Sequence, residues 1–254
     1  MPCVTGLSVM SGGAAALLDG FEFAYVTPDG AEARRGLADA WGAQLEEAPP
    51  VRRFASYKGQ KHFPGAWWSA TGERLIGYES WLERDHLMLL DFDPSVRGIA
   101  SQPFWLFWMT EDGRSRSHAP DYFVRRCDGS GVVVDCRPLE RRKARDLVAF
   151  EATRQACQAV GWEYRLVGAA DRTLVRNVRW LSGYRHPRHH QDRVAAGLRE
   201  AFAGPVPLLD GAREVGHPIA VLPTLFHLLW GQELVVDLSA PLHQGVMVSL
   251  PDVA

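Results

Sequence analysis

The sequence predicts an α/β fold: a mixed sheet core flanked by helices, followed by a small C-terminal module of helices with a terminal strand pair. Three observations carry this. A helix-period stretch at 78–92 leads into four strand-like runs between Val96 and Cys136; a long helical run and a short apolar strand then fill 141–167; and the chain beyond Pro187 reads as helices ending in two short strands. At 254 residues, with 46% hydrophobic and 23% charged residues, the chain is long enough to bury a full core and to form two modest domains.

Taken in order, the segment before Gly20 is small and apolar but lacks a basic start, so it reads as a flexible or strand-like leader rather than a signal peptide. Phe21–Val26 reads as a short strand and Ala31–Leu45 as an amphipathic helix ending before Pro49-Pro50. Between Val51 and Gly72, Arg52, Arg53, Lys58 and Lys61 interleave with Phe54, Tyr57, Phe63, Trp67 and Trp68, and no acid intervenes. Cations with rings suit a nucleic-acid surface, where bases stack and phosphates are neutralised; they equally suit an arm packed on the core.

Tyr78–Phe92 is a helix with Ser80 as its cap and Glu83 three residues on as a capping-box partner. Leu82, His86, Leu89 and Leu90 form its apolar stripe, and Glu79 and Glu83 share a face. After Asp93-Pro94 come strands at Val96–Ser101, Phe104–Met109, Ser115–Val124 (broken at Pro120) and Gly131–Cys136, with turns at Glu111-Asp112-Gly113 and Asp128-Gly129-Ser130-Gly131. A helix over Arg141–Val160 stops at Gly161, and Trp162–Val167 is a strand. Asp171–Tyr184 is helical. His186-Pro187-Arg188-His189-His190 reads as a basic hinge in preference to a zinc site, because its histidines lack a regular ligand spacing. Helices at Gln191–Ala203 and Val221–Trp230 follow, with Pro223 expected in a first turn. Glu233–Leu238 and Gly245–Leu250 pair around Pro241, like the wing of a winged-helix module.

Net charge is −2 but unevenly spread. Two basic residues face seven acids before Pro50; nine face five acids from Gly113 to Asp146; six arginines face only Asp192 from Arg172 to Arg193. Local basic surface is what phosphate attraction requires, and a solvated charged face is the plainer alternative. Cys3, Cys127, Cys136 and Cys157 form no C-x-x-C pair, which fits a reducing compartment, expected to be the cytoplasm, and excludes a zinc ribbon or a disulfide framework. No run approaches the length a membrane span needs, and no G-x-S-x-G elbow or Cys/His signature supports a serine or cysteine hydrolase.

The chemistry lies in three acids in fixed order. Glu83 is on a helix, Asp121 follows His118-Ala119-Pro120 into a strand, and Asp135 ends the apolar run Val132-Val133-Val134, with Cys136 and Arg137 after it. Divalent metal chemistry on phosphate needs hard oxygen ligands converging from separate elements. Asp121 and Asp135 would bridge the metal, with Glu83 completing the shell, the Cys136 carbonyl contributing, and Arg137 stabilising the phosphate. The competing account has these acids capping turns and pairing with nearby arginines.

As a set, Ser80-Trp81-Leu82-Glu83, Asp91-Phe92-Asp93-Pro94-Ser95-Val96, Gln102-Pro103, Pro120-Asp121-Tyr122-Phe123-Val124, Val134-Asp135-Cys136-Arg137-Pro138 and Trp162–Val167 resemble the TnsA-like endonuclease subunits of heteromeric bacterial transposases. That resemblance implies a PD-(D/E)xK, restriction-endonuclease-like nuclease domain over 51–187, a strand/helix extension over 1–50 and a winged-helix-like domain over 188–254. It implies Mg2+, for which Mn2+ substitutes, and catalysis by Glu83, Asp121, Asp135 and Arg137. Double-stranded DNA would lie against Arg52, Arg53, Lys58, Lys61, Gln102, His118, Arg141, Arg142 and Lys143. Cleavage would fall at the 5′ ends of a mobile element, with an integrase-like transposase subunit and an ATPase regulator as partners and no membrane. Arg137 departs from the family's usual lysine: it keeps the charge but cannot act as a base. A lapsed relative serving as a DNA-binding or assembly adaptor, and a stand-alone restriction-like nuclease, are the alternatives.

Overall fold

The computed structural model describes residues 20–40, 42–54 and 63–251, so Lys58, Lys61 and the leader lie outside the described residues. In chain order the elements are β1 (Phe21–Val26), β2 (Glu32–Gly36), α1 (Leu37–Ala40), β3 (Gly65–Ser69), β4 (Arg74–Tyr78), α2 (Trp81–Phe92), β5 (Val96–Ser101), β6 (Trp105–Met109), β7 (Ser115–His118), β8 (Tyr122–Arg126), β9 (Gly131–Cys136), α3 (Ala144–Ala159), β10 (Glu163–Val167), α4 (Arg172–Ser182), α5 (Asp192–Ala201), β11 (Val206–Pro207), α6 (Leu208–Val215), α7 (Pro218–Trp230), β12 (Val235–Val236) and β13 (Met247–Ser249). The fold is mixed α/β with several sheets.

Two compact units share these elements, each discontinuous in sequence: Met1–Tyr57 with Arg97–Gly168, and Lys58–Val96 with Ala169–Ala254. In the first, one sheet has the order β2-β1-β6-β7 and another the order β10-β9-β8-β5. Strands β8 and β9 run antiparallel, whereas β9 and β10 run parallel with α3 as the crossover between them. Phe23, Leu45, Phe104, Leu106, Phe123, Val133 and Ala156 make its core. A buried pair fastens the segment before it: Arg125 Nε donates to Glu46 at 3.2 Å while its other nitrogens donate to the Gly129 and Ala43 carbonyls.

The second unit holds the hairpin β3–β4, helices α2 and α4–α7, and a sheet of order β11-β13-β12. Met88, Val178, Leu181, Leu198, Phe202, Leu225, Leu228 and Val248 form its core. Asn177 is buried and pins the loop after β12: its Nδ2 donates to the Leu238 and Ala240 carbonyls at 2.9 and 2.8 Å.

Three elements differ from expectation. The helix expected over Ala31–Leu45 is a strand and a single helical turn, because Thr27-Pro28-Asp29-Gly30 makes a tight turn, with Gly30 at φ +88°, and folds β2 back on β1. Turn chemistry overrides the helical spacing here. The stretch after Phe63 packs on the core through Trp67, and it does so as the hairpin β3–β4, in which Gly65 faces Tyr78 and a β-carbon would lie 2.4 Å from the phenol oxygen. Pro218 takes the first helical position of α7, so Pro223 falls in the second turn rather than the first.

Helix α2 begins at Trp81 and not at the expected Tyr78, which ends β4, and Ser80 caps it as expected. Ser80 Oγ accepts from the Glu83 N–H at 3.2 Å, and Glu83 Oε2 accepts from the Glu79 N–H at 2.7 Å. Its most buried face is Leu87, Met88 and Leu90, offset from the expected stripe because two polar residues, Glu83 and Asp91, are buried with it. Replacing Ser80 with alanine should cost about 1 kcal/mol in urea denaturation; no change in midpoint would mean that the cap contributes nothing.

Among the described residues no helix is long and apolar enough to cross a membrane.

Candidate functional site

The β8–β9 register sets Tyr122 opposite Val134, so one step further Asp121 lies across from Asp135. Valines 132–134 are all buried, which is how a strand covered on both faces reads. Asp135 continues that run and is 1% exposed. A carboxylate there needs partners, since an unpaired buried charge costs several kcal/mol.

It has two. His118 Nε2 lies 2.9 Å from Oδ1 and 3.0 Å from Oδ2, and the Tyr164 hydroxyl donates to Oδ2 at 2.7 Å. An ionised carboxylate only accepts, so Nε2 carries the imidazole proton. Burial, followed by the charge of Asp135, raises the Tyr164 pKa far above the ordinary phenol value, and Asp121 adds to the effect. Burial and Asp135 likewise push up the Cys157 thiol. Tyr164 is therefore a permanent donor. The Phe150 ring meets His118 edge-on at 5.7 Å.

Asp121 is turned toward the end of β9: its Oδ2 accepts from the Cys136 N–H at 2.7 Å. Its carbonyl accepts from the Gln102 N–H at 2.8 Å, and the Gln102 carbonyl accepts from Val51 at 2.9 Å. Gln102 is 2% exposed, at φ +46°. Expected on a DNA-facing surface, it is placed instead as framework beneath Asp121.

His118 opens on a cleft of about 580 Å³ whose lining includes Arg116, Arg137 and Arg145 together with Asp112 and Asp146. The guanidinium groups of Arg116 and Arg137 are exposed and have no ion-pair partner among the described residues. Arg145 lies 3.5 Å from Asp146. Arg53, Arg141 and Lys143 are exposed; Arg52 and Arg142 are half-buried, Arg142 donating to the Arg137 carbonyl at 3.4 Å. Glu83 belongs to the second unit, where its carboxylate closes the capping box.

Among the described residues no group of three or more His, Cys, Asp and Glu side chains forms a metal-holding cluster. Mg2+ keeps several waters and takes one or two carboxylates together with substrate phosphates, and Asp121 and Asp135, opposite each other on adjacent strands, are two such carboxylates.

The sequence reading missed Tyr164 and the His118–Asp135 pair as a unit. Tyr164 sits in a short apolar strand, and only the parallel β9–β10 pairing brings its hydroxyl to the acid. No family model matches the chain, and no curated protein matches it.

Proposed function

We propose that the first unit is the catalytic centre of a magnesium-dependent DNA endonuclease, working as a subunit of a heteromeric transposase at the 5′ ends of a mobile element. One observation carries this: Asp121 and Asp135 face each other across adjacent strands, and His118, which bonds Asp135, lines a cleft together with Arg116 and Arg137. Antiparallel β8–β9 with the parallel crossover to β10 supports a restriction-endonuclease-like core, and the helices with the β12–β13 pair support a winged-helix-like module in the second unit. Cytoplasmic DNA, an integrase-like subunit and an ATPase regulator are the proposed partners.

The bound ion, when present, supplies an activated water and neutralises charge on the phosphate. The chain's own residues do the rest. Asp121 and Asp135 would hold the ion. Arg137 and Arg116 bind and orient phosphate oxygens and stabilise charge that develops on them. The buried strand ends keep Asp135 out of bulk water. Arg53, Arg141 and Lys143 are proposed contacts along the DNA backbone.

A second reading, a lapsed relative acting as an adaptor, is favoured by Arg137 standing where lysine is usual and by both Asp135 oxygens already bonding protein donors. Incubating duplex DNA carrying the element's ends with Mg2+ or Mn2+, with and without the partner subunits, separates the two. Strand nicking that stops with EDTA supports the nuclease. Tight DNA binding with no nicking under any combination overturns it in favour of the adaptor.

A further inference from the structure

We propose that His118 is a placeholder for the cation: it satisfies Asp135 while the metal is absent and is displaced when the metal binds. The proposal rests on the reading of Asp121 and Asp135 as the ligands. Nε2 is nearly equidistant from the two Asp135 oxygens, at 2.9 and 3.0 Å, which puts the nitrogen midway between them. A divalent ion held by Asp135 would draw on the lone pairs of these same oxygens. Imidazole N–H and cation therefore compete for one set of lone pairs.

The surroundings suit a donor that leaves. His118 is the last residue of β7, its side chain is 20% exposed, and it forms part of the cleft wall, so its ring has open space to turn into. Tyr164, by contrast, holds only Oδ2, from the flank, and comes from the strand beside Asp135. It can stay in place in both states. The placeholder answers a physical need, because a carboxylate 1% exposed and held by the Tyr164 hydroxyl alone keeps one oxygen without a donor, at a cost in stability.

Linkage fixes the test. A bond made only in the metal-free state opposes metal binding by its own free energy, so deleting it must weaken the metal-free protein and strengthen binding together. The full chain and its His118→Ala, His118→Gln and Tyr164→Phe variants are titrated with Mn2+ by calorimetry, and each is melted with and without the ion. Expected are a lower melting temperature for metal-free His118→Ala and Mn2+ binding tightened by about tenfold, the scale of one hydrogen bond to a charged group. His118→Gln keeps an N–H donor and should return toward wild type. Tyr164→Phe should melt lower without tighter binding. Binding by His118→Ala alone, with none by wild type, also supports the placeholder. Weaker or unchanged Mn2+ binding in both His118 variants overturns it and leaves the metal site standing. Absence of binding in every protein overturns the placeholder and the metal site together.

Discussion

Asp121→Asn should abolish Mn2+ binding and cut DNA nicking by at least about a thousandfold, which is about 4 kcal/mol of transition-state stabilisation, while the protein stays folded. Asparagine is the sharper probe than alanine. Asp121 Oδ2 accepts the Cys136 N–H at 2.7 Å, and an amide oxygen can accept it too, so the change removes charge and leaves the hydrogen bond. Alanine deletes both, and the lost bond to β9 would mix a fold effect into the activity measurement. Relief of repulsion between Asp121 and Asp135 works in the opposite direction and should keep the Asn variant at or above wild-type stability in metal-free buffer. Calorimetry, a nicking assay and a melting curve on the same preparation check this. An Asn variant that still binds Mn2+ as wild type does would remove Asp121 from the site; one that melts far lower would make Asp121 a structural residue.

The main elements of this core were legible because they obey local rules. The Asp128-Gly129-Ser130-Gly131 turn, the continuous valines of β9 and the Gly161 stop after α3 each announce themselves in sequence. The hairpin β1–β2 was missed because Ala33 and Leu37 lie four apart and mimic a helical face. What decides the matter is the turn before them. At the site, Asp121 and Asp135 could be named because Pro-Asp and a strand-ending acid are visible in one dimension. Their neighbours could not. His118 and Tyr164 converge on Asp135 from β7 and β10, and that convergence depends on strand pairings that residue spacing does not encode. Gln102 entered through the resemblance, as a DNA contact; its backbone bridges Val51 and Asp121 at a positive φ, and the residue is 2% exposed.

The same distinction between a motif and its physical role applies to Asp91, part of the Asp91-Phe92-Asp93-Pro94 run that helped to identify the resemblance. In the second unit it is 5% exposed and accepts four hydrogen bonds from the β3–β4 hairpin: Trp67 Nε1 at 2.8 Å, Ser69 Oγ at 2.6 Å, Ala70 N at 3.1 Å and Thr71 N at 3.0 Å. The hairpin has only two strands, and an isolated hairpin is marginal in water; the carboxylate is what ties it to α2. Asp91→Ala leaves these donors facing a void. At roughly 1–3 kcal/mol for each unsatisfied buried donor, with water reaching some of them, the cost should be about 4 kcal/mol, much of the stability of an ordinary domain. Asparagine should not rescue it, because one of its two polar atoms is itself a donor and would point at donors. Urea denaturation of both variants, read together with amide exchange over 65–78, checks this. A loss below about 1 kcal/mol would mean that the Trp67 and Ile76 side chains hold the hairpin by packing alone. If the loss is large and exchange at 65–78 rises ahead of global unfolding, Asp91 is a clamp whose place in the sequence is fixed by the hairpin it holds.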